Sequence, residues 1–255
     1  MSPPKNVKKQ YIAEGERHCR ELGYTKCGAN WYRCYGQGLL QTVTFQGIPE
    51  RVNNAAFTRE AAVLFKVYSL FDELLWIPFP IMGKRRDLYP NILPSAFLLN
   101  MPCKDFLGTA YEAECMNTHG FSFLNQINTH AQLAAMLEKW GASNSEKVVP
   151  YLLAGELQKS IDCINEIERQ NMNAYHQERL RKTDAENEQE QQKILSKLQP
   201  LLALREGILE RNSAGIIRML SDNYQTNVEH LLNMGIPIPD SATFSADLQA
   251  LINLG

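Results

Sequence analysis

The chain has 255 residues, 44% hydrophobic and 21% charged, with 26 basic against 28 acidic side chains and a net charge of −2. That length allows one large domain or two modest ones, and the near-neutral balance argues against the basic footprint of a nucleic-acid binder. No apolar run reaches the roughly 18 residues of a membrane span, and Met1-Ser2-Pro3-Pro4-Lys5 carries no hydrophobic signal region, so a cytoplasmic protein with no membrane partner is expected.

Pro3-Pro4 suits the first turn of a helix predicted over Lys5–Leu22, because the missing proline N–H has no partner to lose there. Val7, Tyr11, His18 and Leu22 share one face, with Ile12 and Cys19 beside them. His18 on that face reads as a tethered edge histidine rather than a catalytic base. Gly23 can close the helix in the left-handed conformation. Asn30–Tyr35 and Leu39–Gln46 are rich in aromatic, Thr and Val residues, which suit a half-buried pleated surface. Gly36-Gln37-Gly38 between them fits a three-residue hairpin loop. Alternation puts Trp31 and Arg33 on one side of the strand and Tyr32 and Cys34 on the other. If one face packs under the first helix, the other either stays open or is covered by later helices. Left open, it offers aromatic and arginine residues of the kind enriched at protein–protein contacts.

The run Gly23-Tyr24-Thr25-Lys26, Trp31-Tyr32-Arg33 and Leu40-Gln41-Thr42-Val43-Thr44-Phe45-Gln46 resembles the opening of a bacterial family catalogued as domain of unknown function 4304. Members of that family begin with a helix ending in Gly-aromatic-Lys, a strand bearing aromatic-Arg, and a strand reading Gln-x-Val-x-Phe-Gln. The match lies mainly in residues 4–46, with weaker similarity through Leu64–Leu70 and Phe121–Leu133. The resemblance implies a helix-plus-sheet fold in a bacterial protein and carries over no catalytic residue.

Ala62–Phe71 has no clean polar face, and its β-branched and aromatic content points to a third strand. Residues 76–103 hold Pro78, Pro80, Pro90, Pro94 and Pro102, which oppose long regular structure and leave room for one edge strand at Ile92–Leu99. Lys84-Arg85-Arg86 is a compact basic cluster, either a grip for an acidic partner or a solvated loop tip. Lys104–Asn117 is helical in pattern. Thr129 then caps a helix over His130–Trp140, whose Leu133, Met136, Leu137 and Trp140 form a stripe that Gly141 ends. Ser145 is expected to cap a short helix through Ala154, with Pro150 kinking it or marking its start.

Glu156–Asn173 places Leu157, Ile161, Ile164 and Ile167 at helical spacing. Gln177–Lys193 is nearly free of apolar residues, so it is either a solvent-bridging helix or frayed. Leu195–Leu209 regains apolar density around Pro200, Asn212-Ser213 caps Ala214–Asn233, and Gly235-Ile236-Pro237-Ile238-Pro239 ends the helices. The fold class is α+β: a helix and small antiparallel sheet over residues 1–103, a mainly helical region over 104–235, and a tail over 236–255.

Motifs for chemistry are sparse. Cys19, Cys27, Cys34, Cys103, Cys115 and Cys163 include no close pair, so reduced thiols are expected rather than metal ligands or disulfides. Nucleophile-elbow, phosphate-loop and dinucleotide motifs are absent from the sequence. Glu112 and Glu114 point about 200° apart on a helix, and His119 reads as a cation at a helix C-terminus. His176 with Glu178 fails on the same geometry, and His130 and His230 have no sequence partner. A dyad from distant positions, such as Cys34 with His119, stays open. No catalytic residue, metal ligand or cofactor is assigned. The expected function is a non-enzymatic protein-interaction module of inhibitor or immunity type, with Trp31, Arg33, Lys84, Arg85 and Arg86 as partner-binding residues. The alternative is a hydrolase or small-molecule enzyme with a dispersed Cys/His/Glu site between sheet and helices. Self-association through the polar helix is a third reading.

Overall fold

The computed structural model describes residues 7–36, 38–47, 60–72, 96–102, 120–139, 141–179 and 183–239. The fold is α+β: an antiparallel sheet followed by a mainly helical C-terminal region, as the sequence pattern predicts. Helix α1 (Val7–Glu21) ends where Gly23, at φ +79°, turns the chain back. The Gly23 N–H donates to the Arg20 carbonyl at 3.1 Å and the Tyr24 N–H to the Cys19 carbonyl at 2.9 Å, which satisfies two of the helix's terminal acceptors.

Strands β1 (Thr25–Cys27), β2 (Asn30–Tyr35), β3 (Leu39–Gly47), β4 (Glu60–Ser69) and β5 (Ala96–Pro102) form one sheet in chain order, every neighbouring pair antiparallel. β1 has only three residues and no pattern of its own announces it. The predicted hairpin is present, with Tyr35 opposite Leu39 across its loop. The ambiguous apolar run becomes β4, and the proline-rich region ends in edge strand β5, of which the predicted Ile92–Leu99 segment overlaps the start.

Helices α2 (Ser122–Asn125), α3 (His130–Lys139), α4 (Asn144–Leu153), α5 (Leu157–Arg179), α6 (Asp184–Leu209) and α7 (Ser213–Asn233) follow. Thr129 caps α3 through a 3.2 Å bond from the Gln132 N–H, and Asn212 caps α7 through a 3.0 Å bond from the Gly215 N–H. The cap of α4 is Ser143, two residues before the expected Ser145, because Glu146 reaches back to accept from both the Ser143 N–H and its hydroxyl. Pro150 lies inside α4 and does not mark its start. α5 runs past Asn173 to Arg179, and α6 runs through Pro200. The polar stretch Gln177–Lys193 is therefore divided: its first residues end α5, Thr183 caps α6, and the remainder continues into the apolar stretch as one helix.

Two hydrophobic clusters lie on opposite faces of the sheet. On one face Trp31, Leu39, Val43, Phe65 and Val67 pack with Cys19 of α1, Leu124 of α2, and Leu133 and Leu137 of α3. On the other, Tyr32, Cys34 and Leu40 pack with Leu152 of α4, Ile164 of α5, Leu204 of α6 and Leu220 of α7. The sheet is the middle layer of three, and neither face is the open aromatic surface that one reading of the sequence allowed. The Lys104–Asn117 helix, Trp140, the Lys84-Arg85-Arg86 cluster, Cys103, Cys115, Glu112, Glu114, His119 and the Ser241–Gly255 segment lie outside the described residues.

Candidate functional site

Arg33 and Gln41 face each other across β2 and β3, on the face that carries α1. Gln41 is 0% exposed, so each of its amide atoms must find a partner inside the protein. Its Oε1 accepts from Arg33 Nε at 3.0 Å, Arg33 Nη2 at 2.7 Å and the Tyr24 hydroxyl at 2.6 Å, while its Nε2 donates to the Leu124 carbonyl at 2.9 Å. Arg33 also donates to the Leu22 carbonyl and to Asn125 Oδ1, each at 3.1 Å. Its guanidinium lies 4.7 Å from the Tyr24 ring centroid and 5.6 Å from that of Tyr35. Tyr35 in turn donates to the Ile127 carbonyl.

The cluster has a cation and, among the described residues, no carboxylate in an ion pair with it. The Leu22 carbonyl at the end of α1 and Leu124 and Asn125 of α2 place the charge at two helix C-termini, where a cation is favoured. The arginine fastens both helices to the sheet. It is a mechanical clasp, and its charge is already engaged. Arg33→Lys keeps the charge but loses the planar fork, and is expected to lower stability by about 1–2 kcal/mol in chemical denaturation. Unchanged stability would show that the fork is not the fastening.

Trp31, the other strand residue predicted to meet a partner, is 2% exposed. Arg20 and Lys26 lie 5.5 and 5.6 Å from its ring centroid and seal it from the solvent side. The folded protein does not present that ring.

The opposite face holds a polar strip. Thr44 Oγ1 donates to Asn30 Oδ1 at 2.5 Å, and Asn30 Nδ2 donates to the Tyr32 hydroxyl at 3.1 Å. Tyr32, Thr42 and Lys66 stand opposite one another across three strands. Burial holds the Lys66 amine below its usual range, opposed by the Glu146 carboxylate of α4. The Lys66 Nζ lies 6.0 Å from the Tyr68 ring centroid.

The third arrangement is the closest to a catalytic geometry, and sequence reasoning missed it. Ser69 Oγ lies 2.9 Å from His130 Nε2, a serine–histidine pair formed across 61 residues of chain. The Phe71 N–H donates to the same Oγ at 3.3 Å. A nucleophile must reach its substrate, and here Ser69 is 3% and His130 2% exposed. His130 Nδ1 is buried without a hydrogen-bond partner among the described residues, so no carboxylate orients the ring. Phe71, 5.6 Å away centroid to centroid, and Tyr224 stacked on it at 5.0 Å close that side. The pair pins the end of β4 to α3.

The thiols give no better nucleophile. Burial raises Cys34 to about 12 and drives Cys19 higher still. No group of three or more His, Cys, Asp or Glu side chains suited to a metal occurs among the described residues. His18 lies 3.7 Å from Glu21 and 5.0 Å, centroid to centroid, from Phe121, as a tethered edge residue would. No helix of the described residues is long and apolar enough to cross a membrane.

The class these features define is an α+β protein whose sheet is clasped on both faces and whose buried polar groups brace its elements. No family model, curated protein or solved structure matches the chain.

Proposed function

We propose that the protein is a non-enzymatic protein-interaction module of inhibitor or immunity type, acting in the bacterial cytoplasm. The observation that carries this reading is the α5–α6 helical hairpin. At 1.5 Å per residue these helices of 23 and 26 residues are about 35 and 39 Å long. Contacts of Arg205 with Asn165 and Glu168, and of Tyr175 with Gln191, set them antiparallel. Among the described residues beyond Ile167 of α5 and before Leu201 of α6, only Tyr175, Asn187 and Leu198 are buried, and none of them belongs to the two hydrophobic clusters. A long pair of helices whose outer stretch buries so few side chains is suited to meeting another protein. The family resemblance of residues 4–46 supports the bacterial setting.

Affinity capture of the full chain from native lysate tests the reading. A stoichiometric partner is expected, and it should be lost when one heptad is removed from each of α5 and α6, which preserves their facing register. Recovery of no stoichiometric partner would overturn it.

A further inference from the structure

Strand β4 turns Lys66 and Tyr68 toward the layer of α4 to α7. Lys66 stands opposite Thr42 and, one strand further, Tyr32; Tyr68 stands opposite Leu40 and then Cys34. Tyr68 packs against the hydrophobic cluster on that face. Lysine is seldom set under a packed layer without a partner. The lysine ion pairs among the described residues belong to Lys26 and Lys159, and Lys66 Nζ has neither a hydrogen-bond nor an ion-pair partner there.

The amine's neighbours are hydroxyl-bearing and uncharged, with one exception. The Tyr68 ring centroid lies 6.0 Å from Nζ, and Thr42 and Tyr32 beside it are buried. The exception is Glu146 in the first turn of α4, whose carboxylate acts on both Lys66 and Tyr68. Glu146 is held in place because it accepts from the Ser143 N–H and hydroxyl. Lys66 and Tyr68 are themselves half-buried, so the amine is walled in and still reachable from solvent. Burial disfavours the ammonium form, which leaves more of this amine neutral than of a surface lysine at the same pH. A neutral amine is a nucleophile for carbonyl carbon. The fixed carboxylate beside it repels an anionic carbonyl compound and leaves an uncharged one undisturbed.

From this arrangement we infer that Lys66 is a capture site for small uncharged aldehydes, held as an imine between β4 and α4. The nitrogen lone pair attacks the carbonyl carbon and forms the C–N bond. Both nitrogen protons pass to the carbonyl oxygen, with Glu146 placed to relay them. The C–O bond then breaks, water leaves with its electron pair, and a C=N bond remains. No oxidant or cofactor enters, and added water reverses the step. The site does not involve the α5–α6 hairpin, so it stands or falls apart from the interaction reading.

The probes are benzaldehyde and 4-carboxybenzaldehyde, each given to the full chain with sodium cyanoborohydride to fix the imine, followed by peptide mass mapping. Benzaldehyde should label Lys66 at least about fivefold faster than the exposed Lys26, Lys159 and Lys193. The carboxylated probe should show no such preference. In concentrated urea the preference for Lys66 should vanish, because the walls around the amine are gone. Glu146→Gln keeps the cap of α4 and should bring the two probes to within about twofold of each other at Lys66. Lys66→Arg keeps the charge and should lose that label alone. Labelling of Lys66 no faster than that of the exposed lysines overturns the capture site. So does a preference that survives in urea, which would belong to the local sequence rather than to the fold. Equal labelling of native Lys66 by the two probes overturns the selection by Glu146.

Discussion

Replacing Gly120 with alanine is expected to cost about 3 kcal/mol of stability, the upper end for one methyl group forced into a packed core. A Cβ built at Gly120 would fall onto the far edge of the Phe65 ring, well inside van der Waals contact. Phe65 cannot easily yield. It is fully buried in the centre of β4, with Phe121 edge-on against it at a centroid distance of 5.3 Å. Tyr24 meets the same Phe121 at 5.9 Å, so a displaced Phe65 ring pushes on the α1 turn as well. At about 2–4 °C per kcal/mol for a chain of this size, the melting temperature should fall by about 6–12 °C. A double-mutant cycle separates the collision from any intrinsic helix effect. In a Phe65→Leu background, Gly120→Ala should cost less than about 1 kcal/mol, because the ring edge is gone. A loss below about 0.5 kcal/mol in the native background would mean that the ring and the glycine are not in contact in solution.

That contact also marks the limit of what local sequence discloses. The hairpin was legible because Gly36 and Gly38 carry their own conformational reason, with φ of +56° and +72°. The ends of α1, α3 and α7 were legible for the same reason, through Gly23, Thr129 and Asn212. Each such signal lies within a few residues of the structure it specifies. Two features escaped. β1 is too short to show a period, and it exists because Thr25, Lys26 and Cys27 find Tyr32, Trp31 and Asn30 opposite them. The continuity of α6 across Lys193–Leu195 is likewise invisible locally, because side chains facing α5 on both sides of that point hold the helix.

The bonds that fasten the layers were less legible still. Arg33 meets Asn125 across 92 residues, and Ser69 meets His130 across 61. Alternation placed Trp31 and Arg33 on one face without saying what covers that face. The Trp31–Arg33 face is covered, and its arginine is a clasp. The basic cluster at Lys84-Arg85-Arg86 lies outside the described residues and adds nothing to that assignment.

The Ser69–His130 pair gives the second large effect, and its sign follows from burial. Desolvation lowers His130 from an ordinary value of 6.5 to about 4, so the folded protein holds the ring neutral. Between those values the unfolded chain binds a proton that the folded chain refuses. Stability from this site is therefore fully present above pH 6.5 and is lost as pH falls toward 4. Integrated over that window, the loss amounts to about 3 kcal/mol. The physical cost is a charge placed beside Phe71 with Nδ1 unsolvated. Carboxylates elsewhere also titrate in acid, so the informative quantity is a difference. His130→Gln keeps a polar partner for Ser69 but has no proton to gain. Urea denaturation of both proteins at pH 7.5, 6, 5 and 4.5, chosen to span about the titration window, should show the variant less stable at the top. The native protein should lose its advantage steadily below about pH 6.5. Parallel stability profiles for the two proteins would place His130 in contact with water and remove the buried brace between β4 and α3.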